Sequence, residues 1–172
     1  MSPVQFDISA FDALFDERVA KVIREFEAEY PETCASAMGF AYYGPTPTLI
    51  MGFDTEVNCQ KYSDLCPEGV FEDEQGAYYV NPHDFAFTYE FGFDGFPNIY
   101  DSPKPWQLIF PDGSSKILDE TTDDNDFSEA IAGYLEARVA AVCDFNGLKR
   151  ASTFRVILYC GYGDSIRSWL RN

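Results

Sequence analysis

The chain has 172 residues, of which 29 are Asp or Glu and 12 are Lys or Arg, giving a formal net charge of −17; 46% of it is apolar. So acidic a chain lacks the cationic surface that neutralises phosphates, which excludes nucleic acid as a partner and disfavours an anionic membrane surface. The apolar share excludes disorder of the whole chain, and a chain of this length buries about 70% of its unfolded surface without disulfide or metal staples, so one domain over residues 1–172 is expected.

An amphipathic helix is predicted over residues 9–30. Phe11, Leu14, Phe15, Val19, Val22, Ile23, Phe26 and Tyr30 recur at spacings of three and four and make one buried face. Ser9 is the expected cap, with Asp12 three residues on, and Pro31 ends the helix. Residues 35–43 read as a strand whose small residues Ala35, Ala37, Gly39 and Ala41 share a face on which a helix would pack closely. Gly44-Pro45-Thr46-Pro47 is a turn, and residues 48–53 complete a hairpin. Residues 55–65 suit a short helix capped by Thr55, with Val57, Tyr62 and Leu65 turned inward.

Phe85, Phe87, Tyr89, Phe91 and Phe93 alternate with other residues at a period of two, the pattern of a strand with one aromatic face, and Asp94-Gly95 marks a turn after it. Residues 106–110 form a further short strand, while residues 115–118 are too few to assign. Residues 119–126 hold five acids and no cation and lead into a second long helix over residues 127–145. Its inner stripe is Phe127, Ile131, Leu135, Val139 and Val142, with Asp124 or Asp126 as cap and Asn146-Gly147 as stop. Residues 154–160 read as a strand buried on both sides; Gly161-Tyr162-Gly163 turns the chain, and Asp164 caps a final short helix ending near Leu170. These elements make a single α+β domain, a mainly antiparallel sheet with two long helices packed on it.

No motif for a reaction emerges. The cysteines Cys34, Cys59, Cys66, Cys143 and Cys160 form no C-x-x-C pair and the chain has one histidine, so a zinc site lacks ligands and the thiols are expected to be reduced and mostly buried. Reduced cysteines, the absence of a signal-peptide pattern and the absence of a run of about 18 apolar residues lead to the expectation of a cytoplasmic protein that does not span a membrane. Gly161-x-Gly163 has neither a third glycine nor a following βαβ unit and reads as a tight turn. His83 and Asp84 are too local for an oriented triad. Calcium-loop registers starting at Asp119 or Asp124 fail at Asp124 and Ala130, or at Leu135. Carboxylate pairs are too numerous in this chain to single one out. No catalytic residue, metal or cofactor is therefore assigned.

Charge placement says more. Residues 1–130 carry 26 acids and 6 bases, and residues 131–172 carry 3 acids and 6 bases. A concentrated negative face speeds docking on a basic partner and can cover a cationic cleft, whereas acidity spread for solubility alone has no such target. The candidate contacts are the acids Asp119, Glu120, Asp123, Asp124 and Asp126. Tyr78, Tyr79, Tyr100 and Trp106 are candidate aromatic anchors where they are exposed, the alternative for each being core packing.

The N-terminal helix, the FAYYGPTPTLIMGFDTE hairpin, the NPHDFAFTYEF segment, the late helix and the closing FRVILYCGYGDSIRSWLRN come in an order that resembles a bacterial domain-of-unknown-function family associated with polymorphic-toxin immunity loci. The resemblance implies an immunity-type inhibitor that neutralises a cognate toxin by binding a basic surface or active site. The alternative is a small enzyme or ligand-binding domain that uses carboxylates in an aromatic-lined pocket.

Overall fold

The computed structural model describes residues 2–44, 48–66, 70–72, 78–92, 99–161 and 165–171. Along the chain run β1 (Val4–Asp7), α1 (Ile8–Glu29), β2 (Ala35–Tyr42), β3 (Thr48–Asp54), α2 (Glu56–Leu65), β4 (Val70–Glu72), β5 (Tyr78–Val80), β6 (Phe87–Gly92), β7 (Trp106–Ile109), β8 (Ser115–Leu118), α3 (Asp124–Ala140), β9 (Arg150–Cys160) and β10 (Ser165–Leu170). The fold is α+β, with a central sheet ordered β10-β9-β2-β3-β6, a second sheet ordered β1-β7-β8, and the β4-β5 pair.

The sheets are mixed rather than simply antiparallel. β2 runs parallel to β9, with Met38 opposite Val156 and Phe40 opposite Leu158, and β1 runs parallel to β7, with Val4 opposite Trp106. Parallel partners need a long crossover between them, so neither pairing leaves a mark on local hydrophobic periodicity. The β2–β3 hairpin is antiparallel as expected, Phe40 facing Met51.

The largest departure is the C-terminal segment. Ser165–Leu170 is strand β10, antiparallel to β9 with Ile166 opposite Tyr159 and Trp169 opposite Val156, and not a short helix. Ile166 and Trp169 lie three apart, a spacing that mimics a helix; pairing with the edge of β9 overrides it. Residues 115–118 form β8 on β7, and β1, absent from the sequence expectation, joins the other edge of β7.

Helix ends follow their caps. The Asp7 carboxylate accepts the Ser9 amide at 2.9 Å, so α1 begins one residue before Ser9. Thr55 caps α2 as expected, its hydroxyl accepting the Asn58 amide at 3.1 Å, but Val57 and Leu65 are 80% and 75% exposed rather than inward. α3 is capped by Asp123 and ends at Ala140, so Val142, Phe145 and Leu148 are buried from the non-helical segment that follows. There the Arg171 guanidinium donates to the Val142 carbonyl at 3.2 Å and to that of Ala140. β6 begins at Phe87, and Phe85 instead follows a 3-10 turn over Pro82–Asp84. Phe93 lies outside the described residues.

One core cluster joins α1, α3 and a face of the central sheet. Phe15 stacks on Phe40 at 5.7 Å, Phe26 stacks on Phe53 at 4.2 Å, and Phe127, Ile131, Leu135 and Val139 of α3 belong to the same cluster. α1 and α3 are clasped at Arg138. Its Nε lies 2.9 Å from Asp12, its Nη2 lies 2.7 Å from Asp16, and its guanidinium covers the Phe15 ring at 4.5 Å. The opposite face of the sheet carries a smaller cluster of Ala37, Val80, Phe85 and Ile157. Gly39 therefore admits Pro82 and Phe85, not a long helix.

Candidate functional site

The acidic loop is built by its own carboxylates. Asp119 accepts the Thr121 amide at 2.8 Å and the hydroxyls of Thr121 and Thr122 at 2.5 and 3.2 Å. Hydrogen bonds from the Thr121 hydroxyl and amide hold its pKa below the usual carboxylate range. Asp123 accepts the Asn125 amide at 2.9 Å, and Asp126 accepts the Asp123 amide at 3.1 Å, which closes a capping box at the start of α3. Three of the five candidate acids thus shape the loop and start the helix. Glu120 is exposed, and the side chain of Asp124 lies outside the described residues. Asp123→Ala is expected to lower stability by about 1 kcal/mol through loss of the cap, read as a lower urea midpoint at constant slope.

The aromatic candidates separate. Tyr100 is 67% exposed. Trp106 is 3% exposed and therefore no surface anchor: its ring packs between Phe6 at 6.0 Å and Phe127 at 5.7 Å, and its indole N–H donates to the Ser102 carbonyl at 2.9 Å. The bulk of an indole buried with a satisfied N–H favours the core over the surface. Tyr78 and Tyr79 sit on β5, and their side chains lie outside the described residues.

Most bases of residues 131–172 make contacts within the chain. Arg138 pairs with Asp12 and Asp16, Lys149 with Glu32 at 2.9 Å, and Arg167 with Glu136 at 3.3 Å. Arg171 holds the carbonyls at the end of α3, Arg150 lies over the rings of Phe145 and Phe154 at 5.1 and 5.5 Å, and Arg155 is buried.

A cleft that no sequence motif marked lies on the sheet face away from α1. Strand register creates it. Ala37 on β2 stands opposite both Asp54 on β3 and Arg155 on β9, so the three side chains form one row on one face. The alanine methyl leaves a trough between a carboxylate and a guanidinium. α2 walls it with Glu56, Cys59 and Gln60, and the Thr153 hydroxyl donates to Glu56 at 3.1 Å, leaving a volume of about 430 Å³.

Asp54 is 1% exposed, and its Oδ1 accepts the Asn58 side-chain amide at 2.7 Å and the Ala86 amide at 3.4 Å. Its buried Oδ2 has no hydrogen-bond partner. Burial raises the Asp54 pKa above the usual carboxylate range, and the hydrogen bonds from Asn58, Thr55 and Ala86 only partly oppose it. Since the folded chain holds this proton more tightly than the unfolded chain, Asp54's contribution to stability is present at acid pH and lost as pH rises through its raised pKa. Burial, reinforced by the Asp54 charge, pushes the Cys59 thiol up to about 11, so at neutral pH it is a thiol and a poor nucleophile.

The one histidine offers no base to this cleft. His83 stands in the 3-10 turn with its Nδ1 3.8 Å from the adjacent Asp84, beyond hydrogen-bonding distance, and packs edge-on against Tyr43. No disulfide joins the cysteines, and only Cys160 is buried while Cys34 and Cys143 are exposed, against the expectation of mostly buried thiols. Among the described residues no three His, Cys, Asp or Glu side chains gather as metal ligands, and no helix is long and apolar enough to cross a membrane. Two residues of the cleft did carry a sequence signal: Arg155 is the lone charge between Phe154 and Cys160, and Asp54 ends β3 immediately before the cap of α2. Compared with protein-family models, with curated proteins and with solved structures, the chain matches none.

Proposed function

We propose that the protein is a non-enzymatic acidic binding protein of the immunity type, which neutralises a basic protein partner such as a toxin by covering a cationic surface or active site in the cytoplasm. The observation that supports this reading is the pairing of Arg138, Lys149 and Arg167 with Asp12, Asp16, Glu32 and Glu136, which offsets much of the positive charge of residues 131–172 within the chain. Exposed carboxylates then dominate, among them Asp16 at 80% exposure and Glu17, Glu120 and Glu129. Such a field raises the association rate with a basic surface more than it deepens the final affinity. Glu120 and Tyr100 stay as exposed contact candidates. Asp119, Asp123 and Asp126 act by holding the loop that presents Glu120.

The test co-expresses the chain with the product of the adjacent gene and measures their association across salt. Glu120→Gln combined with Glu129→Gln is expected to slow association several-fold at low ionic strength and flatten its salt dependence. An unchanged rate and salt slope, or no complex with that product, would overturn the reading.

A second reading, a ligand-binding domain that uses a carboxylate in a pocket, is favoured by one specific observation: the buried, unpartnered Oδ2 of Asp54 at the cleft. The walls combine hydroxyls, an amide and ionisable groups with the apolar side chains of Ala37 and Ile157, rather than the aromatic lining expected from the sequence.

A further inference from the structure

A buried acceptor with no donor costs free energy in the empty protein, and a ligand that brings the donor recovers that cost. Asp54 Oδ2 is such an acceptor: the residue is 1% exposed, and the hydrogen bonds from Asn58 and Ala86 both fall on Oδ1. Asp54 lines the cleft together with Glu56. Among the described lining residues these two carboxylates outnumber the one guanidinium, that of Arg155, which has an interaction of its own within the chain. The trough is therefore acidic on balance. We propose that this cleft binds a primary alkylammonium group, which donates to Asp54 Oδ2 while its carbon chain lies along Ala37 and Ile157. The arrangement draws on no donor of Arg155. It rests on the ligand-binding reading and names the class of ligand.

Three features select a primary ammonium. A cation gains from both Asp54 and Glu56, whereas an anion would meet two like charges. An ammonium carries three donors and no acceptor, and Asp54 Oδ2 and the hydroxyl oxygens of Ser36, Ser63 and Thr153 supply acceptors in the same cleft. The side chains of Ala37 and Ile157 give the methylene stem an apolar surface, the arrangement in which lysine-like chains bury their carbons and keep the head polar. The volume of about 430 Å³ falls in the range of small-molecule sites. Burial raises the Asp54 pKa, and a cation beside the carboxylate opposes that shift, so binding favours the charged form that the empty cleft penalises. The wall that yields to admit the ligand is α2, which buries none of its own residues and is held at its first turn by the Asn58–Asp54 and Thr153–Glu56 hydrogen bonds.

The experiment measures heat of binding and melting temperature for the full chain with n-butylamine, with n-butanol and with n-butyltrimethylammonium. The acidity of the whole chain attracts both cations alike, so a preference for the one with N–H donors isolates the cleft from the general field. n-Butylamine is expected to raise the melting temperature and to bind about tenfold or more tightly than either of the others. Nα-acetyl-lysine N-methylamide presents the same ammonium on a peptide backbone. Tighter binding of it than of n-butylamine supports the site with a protein lysine as the source, and weaker binding supports it with a free amine. Asp54→Asn retains an oxygen for the Asn58 and Ala86 donors and removes the buried charge. It is therefore expected to melt higher than the native chain at pH 7 while losing amine affinity by about tenfold or more. Equal binding of the two cations, or amine binding unchanged in Asp54→Asn, would overturn the ammonium site. Tighter binding of n-butanol would overturn it too, yet leave the ligand-binding reading standing. Absence of n-butylamine binding overturns the site as well; a lower melting temperature for Asp54→Asn would then make Asp54 a structural acid and remove the ligand-binding reading with it.

Discussion

Phe26→Ala is expected to destabilise the fold by about 3–5 kcal/mol, measured as a lower urea midpoint at unchanged slope. Phe26 is 1% exposed and packs the last turn of α1 against β3 and β6. Its ring stacks on Phe53 at 4.2 Å, meets Phe87 edge-on at 5.1 Å and lies 5.7 Å from Tyr30. Truncation removes the largest apolar group that α1 places against β3 and β6. The cavity is bounded by the rigid rings of Phe53 and Phe87, which cannot collapse into it without leaving their own rotamers. Phe26→Leu keeps most of the volume and is expected to lose less than about 1.5 kcal/mol. Similar losses for the two variants would mean that α1 is held by its N-terminal part, at the Asp7 cap and the Arg138 clasp, and not by this aromatic stack.

Gly39→Ala is the second large effect, with an expected loss of about 1–3 kcal/mol from overpacking. A Cβ at Gly39 would lie 2.6 Å from Phe85 Cε2 and from Pro82 Cγ, and 2.7 Å from Pro82 Cβ. These atoms belong to a proline ring and a buried phenylalanine, neither of which has a flexible end to move aside. The 3-10 segment would therefore shift as a unit away from β2. That segment leads into Ala86, whose amide donates to Asp54 Oδ1 at 3.4 Å. The substitution should thus disturb the cleft as well as the melting temperature, and hydrogen exchange at the Ala86 amide reads the coupling directly. Loss of stability with unchanged Ala86 protection would show that the two faces of the segment move independently.

The two substitutions probe opposite faces of one sheet, and the faces differ in how they were encoded. The α1 face is written in a run of residues that repeats at helical spacing: of the eight assigned to a buried stripe from spacing alone, Phe11, Phe15, Val19, Val22, Ile23 and Phe26 are buried, Tyr30 is half-buried, and Leu14, at the border of the stripe, is 43% exposed. The other face is written in gaps. Gly39, Gly52 and Ala37 are small because the Pro82–Phe85 segment or the cleft stands over them, and a small residue does not announce its neighbour. The same limit explains the acidic loop. Five acids in eight residues read as one charged patch, yet hydrogen bonds over two or three residues give Asp119, Asp123 and Asp126 separate local tasks that a charge count does not resolve.

What the sequence determined by itself is whatever depends on near neighbours along the chain. That includes the long first helix and its inward face, the β2–β3 hairpin, the Thr55 cap, the α+β class and the excess of acid over base, because these follow from periodicity, capping chemistry and composition. Tertiary structure alone decided the parallel pairing of β2 with β9, the conversion of the C-terminal segment into β10, the burial of Trp106 and the row Arg155–Ala37–Asp54. Each of these is a matter of register between segments far apart in the chain. A shift of one residue in that register would turn Asp54 or Arg155 to the other face of the sheet, and with it the charge that makes the cleft.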